Sequence, residues 1–147
     1  MAGESVAEDL ELSESLRPLV TRLEDLRVAA LEDSTQARLA LGQHQLLDAE
    51  LGLLTARYPH RERLWSQLML ARYRCGRRAD ALAAYRQVYE LLDLELGIEP
   101  GPALRELHQR ILEDDTTLTA ALGSAHTEEL GHGMSPAARR SGSRWVA

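Results

Sequence analysis

Residues 61–112 read RERLWSQLMLARYRCGRRADALAAYRQVYELLDLELGIEPGPALRELHQRIL, three apolar-periodic runs parted only by Gly76 and by a corner at residues 97–102. Leu64, Trp65, Leu68 and Met69, with part of Arg72, recur at spacings of three and four. So do Ala81, Leu82, Tyr85, Val88, Tyr89 and Leu92, and then Leu104, Leu107 and Ile111. That period puts each set on one face of a helix. The spacing predicts helices over 61–75, 78–96 and 102–112. Gly76 makes a tight turn, Gly97 stops the second helix, and Pro100 and Gly101 lead to Pro102, which suits a first helical position. A chain so constrained is all-α.

The N-terminal half continues the pattern. Leu16, Leu19, Leu23, Leu26 and Ala30 share a face, predicting a helix from Ser15 to about Leu41, with Ser15 as cap, Pro18 in the first turn and Gly42 as stop. A second helix over 45–58 has Leu46, Ala49, Leu53 and Ala56 on one side and Leu47, Leu51 and Leu54 on the other. A helix apolar on both sides is expected to be sandwiched, and Pro59 ends it. Residues 1–14 are acidic and without periodicity, and are read as a disordered end. Residues 114–147 are read as a mostly disordered tail with a short helix near 116–122, and Trp145 as an isolated apolar residue there.

The composition agrees. Aromatics make up only 4% of the chain, so Leu and Ala must supply the packing. No run reaches the ~20 apolar residues of a membrane span, and the acidic N-terminus resembles no leader peptide, so a soluble cytoplasmic protein is expected, with no membrane partner. The single cysteine, Cys75, cannot form an internal disulfide. All 17 basic residues are Arg, which reflects a high-GC coding bias. Charge is banded: residues 1–33 carry nine acids against three Arg (−6), residues 57–86 eight Arg against two acids (+6), and residues 87–115 eight acids against two Arg (−6). The basic band is either a partner surface or paired within the fold.

Residues 61–93 fit the helix-pair pattern of tetratricopeptide repeats: Trp65 and Leu68 on the first helix, Gly76 at the turn, and Ala81, Tyr85 and Val88 on the second. Small Ala81 lets the helices approach while Trp65 and Tyr85 fill the space beside it. Met69 and Asp93 depart from the pattern. Residues 37–59 form a degenerate copy and 102–112 the start of a third unit. The expected fold is a tetratricopeptide-like antiparallel helix-pair stack, a right-handed α-solenoid. The first helix of each pair lines the concave side, which assigns Arg63, Ser66, Leu70, Tyr73 and Arg74 to a groove. Two Arg flanking Tyr and Leu suit an acidic-hydrophobic peptide; the competing reading pairs Arg63 and Arg74 with acids of the same chain.

Three stretches carry a narrower likeness. LEDLRVAALED (23–33), PHRERLWSQLMLARYRCG (59–76) and ELGIEPGP (95–102) resemble the bacterial transcriptional activator domain of the actinobacterial antibiotic regulatory proteins, over about residues 15–113. The resemblance implies transcription control, commonly of secondary-metabolite gene clusters. In that family the domain follows a winged helix-turn-helix domain, packs on it, and contacts itself or the transcription machinery. No DNA-reading helix with base-contacting and phosphate-binding side chains is evident in this chain. It is therefore expected to work through a protein partner, either a DNA-binding regulator or the transcription machinery, without sequence-specific DNA binding of its own. A homodimer through the long first helix is a further option.

No catalytic, cofactor-binding or metal-ligating residue is assigned. His44, His60 and His108 are scattered and share no zinc spacing with Cys75; His126 and His132 fall in the tail. Arg72, Arg74, Arg77 and Arg78 near Cys75 would lower its pKa, although a small residue packed beside a turn is the simpler reading. Phosphate loops and nucleophile elbows are absent. The alternative function is a repurposed helical domain that binds a small molecule or acts as an enzyme in a biosynthetic pathway. A closed apolar pocket with converging polar groups would mark it.

Overall fold

The computed structural model describes residues 2–119, and among them it is built of helices and turns. Five helices follow in order: α1 (Ala2–Ala40), α2 (His44–Arg57), α3 (Glu62–Arg74), α4 (Arg78–Leu96) and α5 (Pro102–Leu112). The chain divides after Ala37 into two compact units.

The first unit is a single helical rod. The helix begins at Ala2, so residues expected to be disordered are helical instead. Ala7, Glu8, Leu10, Glu11, Leu12 and Glu14 are strong helix formers; a missing apolar period removes a packing face without removing helix propensity. Pro18 consequently lies inside α1, not in its first turn, where it forfeits one backbone hydrogen bond. Ser15 does not cap anything, and its Oγ donates to the carbonyl of Leu12 at 2.9 Å. Leu16, Leu19, Leu23 and Leu26 do share a face, but that face is 45–58% exposed.

The second unit holds α2–α5. Helix α3 is its centre, packing against α2, α4 and α5, while α4 also packs on α5. The core joins Leu47 and Leu51 of α2 to Leu64, Trp65, Leu68, Met69 and Ala71 of α3. Ala81, Ala84, Val88 and Leu92 of α4 and Leu104 and Ile111 of α5 complete it. Trp65 donates its indole N–H to the carbonyl of Pro59 at 2.9 Å, which satisfies its one polar atom. Tyr85 is half-buried and stacks on His108, with centroids 3.7 Å apart. Tyr89 was expected in the core and is exposed. Helix α2 is not sandwiched: Leu47 and Leu51 are buried, whereas Leu46, Ala49, Leu53 and Ala56 are exposed, because only α3 covers it within this unit.

Three helices end in one hydrogen-bonded form. After α3, Gly76 N–H bonds to Tyr73 O (2.9 Å) and Arg77 N–H to Arg72 O (2.9 Å), the Schellman arrangement. Gly42 and Gln43 repeat it after α1, and Asp114 and Asp115 after α5. The pivot residue needs positive φ, and Gly42, Gly76 and Asp114 have 82°, 77° and 55°. Asp is among the few other residues that tolerate this region. Gly97 (φ 64°) ends α4, Pro100 is buried, and Pro102 opens α5 behind Gly101.

Candidate functional site

The five residues assigned to one groove separate into two groups. Arg63 is exposed, and Ser66 is half-buried with its Oγ donating to the carbonyl of Glu62 at 3.2 Å. These two line an open, mainly apolar recess of about 410 Å³ with Glu62, Gly101, Pro102, Ala103 and Leu104. Glu62 Oε2 accepts the backbone N–H of Gly101 at 2.7 Å, tying the start of α5 to the start of α3. The lining from residues 101–104 was not assigned from sequence; it follows from α5 packing beside α3, a long-range contact that periodicity does not encode.

Leu70, Tyr73 and Arg74 are not part of that recess. Leu70 is half-buried. Tyr73 is buried, and its hydroxyl donates to Asp114 Oδ1 at 2.7 Å. This hydrogen bond, followed by burial, raises its pKa. Arg74 donates to the carbonyls of Leu118 (3.0 Å) and Leu39 (3.2 Å), and burial pushes its pKa down. Both side chains turn inward because the end of α3 faces the chain after α5, whereas its start does not.

Four of the eight arginines of the basic band are committed inside the fold. Arg72 Nε bonds Asp48 Oδ1 at 3.0 Å, and Arg77 pairs with both Asp48 and Asp80. Arg78 caps the carbonyls of Ile111 and Leu112 at the end of α5, where a cation is favoured. Asp48 thus ties α2 to the α3–α4 turn. At the far end, Asp115 accepts from the Thr117 hydroxyl and backbone and from Arg110, which hold its carboxyl at about 2 in place of 3.8. A depressed folded pKa stabilises the fold above the ordinary carboxylate value, and that contribution disappears as pH falls through about 2. Carbon-detected NMR titration is expected to give Asp115 a midpoint near 2, and Thr117→Ala should raise it, since the Thr117 hydroxyl is the largest cause.

A second open recess of about 490 Å³ is lined by Gly42, Gln43, His44, Gln45, Leu46, Arg74 and Cys75. His44 Nδ1 is buried there without a partner, and burial, then Arg74, lowers the His44 pKa. Cys75 corrects the sequence expectation: burial and then Asp48 push its thiol up, against a smaller opposing effect of Arg77. The arginines that would have activated it are neutralised by Asp48 or turned to backbone carbonyls. A thiol held protonated is a poor nucleophile. Among the described residues, no group of three His, Cys, Asp or Glu side chains could hold a metal ion, and no helix is long and apolar enough to cross a membrane.

Helices packed in sequence order about α3, with small Ala81 buried on α4, define a tetratricopeptide-like helical fold. The particular family follows from comparison: residues 3–112 match the bacterial transcriptional activator domain, and the chain belongs to that family. It is 43% identical over 107 residues to the transcriptional regulatory protein EmbR of Mycobacterium tuberculosis, covering 73% of this chain and 28% of EmbR. Against the regulatory protein AfsR of Streptomyces coelicolor identity is 46%, covering 79% and 12%. Against the regulatory protein DnrI of Streptomyces peucetius it is 44%, covering 65% and 35%. A solved structure of M. tuberculosis EmbR in complex with a low-affinity phosphopeptide superposes with a TM-score of 0.68 at 35% identity, covering 83% of this chain and 34% of that one. The chain thus spans about a third or less of these relatives, all of them regulators.

Proposed function

We propose that this chain is a transcriptional regulatory domain that acts by protein–protein contact, in control of a secondary-metabolite gene cluster, in the cytoplasm, without reading DNA itself. The observation that carries the reading is the internal commitment of four of the band's eight arginines. Sequence readout needs cations free for phosphate and a helix presenting side chains to base edges. Here Arg72, Arg74, Arg77 and Arg78 hold carboxylates and helix ends together. The kinship with EmbR, AfsR and DnrI supports the regulatory role, and the open apolar recess beside Arg63 and Ser66 supplies a surface for a short peptide of a DNA-binding regulator or of the transcription machinery. The absence of an activated nucleophile at Cys75 disfavours the alternative of a repurposed enzyme.

A mobility-shift assay tests this on the promoter of the chain's own operon. A promoter duplex already shifted by its DNA-binding regulator, with or without RNA polymerase, is expected to shift further when the full chain is added. Ala103→Arg, which places a bulky cation in an exposed wall of the recess, should abolish that supershift with the circular dichroism spectrum unchanged. A supershift that survives Ala103→Arg would remove the recess from the account, and no supershift with either partner would overturn the reading.

A further inference from the structure

The turn between α1 and α2 and the end of α3 line the open recess of about 490 Å³, and no carboxylate is among its lining side chains. Arg74 stands half-buried in its wall. Its Nε and Nη1 are fixed on the carbonyls of Leu118 and Leu39, and among the described residues no carboxylate pairs with it. Carbonyl contacts satisfy donors without cancelling a charge. Held in this way, Arg74 cannot swing out to a partner, so an anion must come to it. His44 lies close enough to Arg74 to feel its charge, and the Nδ1 of His44 is buried with no hydrogen-bond partner. Folded proteins seldom leave a buried polar atom in that state.

The backbone adds donors at the same place. Helix α2 starts at His44 behind Gln43, whose side chain makes no capping hydrogen bond, and its first turn holds no acidic residue. The N–H groups of His44, Gln45 and Leu46 therefore have no partner within the helix, at its positive end. The Gln43 Oε1 accepts from Arg38 at 3.2 Å, which leaves its amide N–H groups as donors. Acids nearby in sequence are engaged elsewhere: Glu50 with Arg38, and Asp48 with Arg72 and Arg77. Cys75, whose thiol is kept protonated by burial and then by Asp48, brings no negative charge.

We propose that this recess binds a phosphate group, either free or carried as a monoester on a small metabolite. This goes beyond the regulatory reading and does not depend on it. An uncompensated guanidinium, a helix N-terminus and a buried imidazole nitrogen converge on one space without an acid in its lining. Arginine and helix N-termini are both suited to phosphate. A carboxylate offers two oxygens to these donors, whereas a phosphate monoester offers three and carries close to two negative charges. The volume of about 490 Å³ falls within the range of small-molecule sites. It leaves room beside the phosphate, along Leu46 and Cys75, for the body of an ester.

Inorganic phosphate titrated into the 15N-labelled full chain, with ionic strength held constant by chloride, tests the site by NMR. Saturable shifts are expected at the amides of His44, Gln45 and Leu46. The His44 titration midpoint should rise from its depressed value, since an anion beside the imidazole favours its charged form. Gln45→Glu places an acid in the exposed first turn of α2, where it suits the helix and repels the ligand. It should weaken binding at least about tenfold with the circular dichroism spectrum unchanged. Arg74→Gln should weaken it as well, and Gln45→Glu keeps the test open if that variant fails to fold. Ribose 5-phosphate separates the sources: tighter binding than inorganic phosphate assigns the site to a phosphorylated metabolite, and equal or weaker binding to free phosphate. Shifts that never saturate, that chloride alone reproduces, that ribose matches, or that persist unchanged in Gln45→Glu would overturn the proposal.

Discussion

Leu68→Ala is expected to destabilise the second unit by about 3–5 kcal/mol and to lower its thermal midpoint by more than about 10 °C, measured by circular dichroism. Leu68 is 1% exposed on α3, the helix against which every other helix of that unit packs. Its neighbours along α3, Leu64, Met69 and Trp65, are themselves buried, so the space left by three removed carbons cannot readily collapse. The cost therefore lies toward the upper end of the range for buried leucines. Leu53→Ala is the control. Leu53 lies on α2 and is 75% exposed, so the same chemical change is expected to fall within about 0.5 kcal/mol of neutral. Equal losses at both positions would mean that the outer face of α2 is covered in solution.

Asp48→Ala ranks second, with an expected loss of about 2–3 kcal/mol. The Asp48 side chain is 19% exposed, accepts from Arg72 at 3.0 Å, and also pairs with Arg77. Removing it leaves Arg72, only 21% exposed, with a charge held off water and no carboxylate beside it. Fully buried pairs lose about 3–5 kcal/mol when one partner is deleted, and hydrogen bonds to charged groups contribute about 1.5–3; the partial exposure of Asp48 places it between them. A double-mutant cycle of Asp48→Asn with Arg72→Gln, followed by urea unfolding, should give a coupling above about 1 kcal/mol. The pair Arg105–Glu99, at 3.7 Å and more than half exposed, should give close to zero.

The helices of the second unit were legible because their signals are local. Gly42, Gly76, Gly97 and Pro102 punctuate them, and Leu64 to Met69, Ala81 to Leu92 and Leu104 to Ile111 mark the buried faces. Three things were not legible. The helical start of α1 rests on intrinsic propensity with no buried face, so a search for periodicity passes over it. The turn after α5 uses Asp114 where the other two use Gly, so its positive φ carries no glycine flag. The site was the least readable. Helical spacing put Arg63, Ser66, Leu70, Tyr73 and Arg74 on one side of α3, but which part of that side stays open depends on where residues 114–118 return. Tyr73 and Arg74 are taken up by that return through Asp114 and Leu118. The fate of the arginines is likewise non-local, since Asp48 and the carbonyls of α5 lie 24 to 34 residues away from them.

The central claim is that this domain regulates through a protein partner and does not itself read bases. The most direct test is fluorescence anisotropy of the purified chain on its operon's promoter duplex and on a scrambled duplex, across a salt series. Equal, weak binding to both duplexes that vanishes as salt rises is the result the proposed reading predicts, since it assigns the chain only non-specific phosphate attraction. Tight, salt-resistant preference for the promoter by the chain alone would contradict the account.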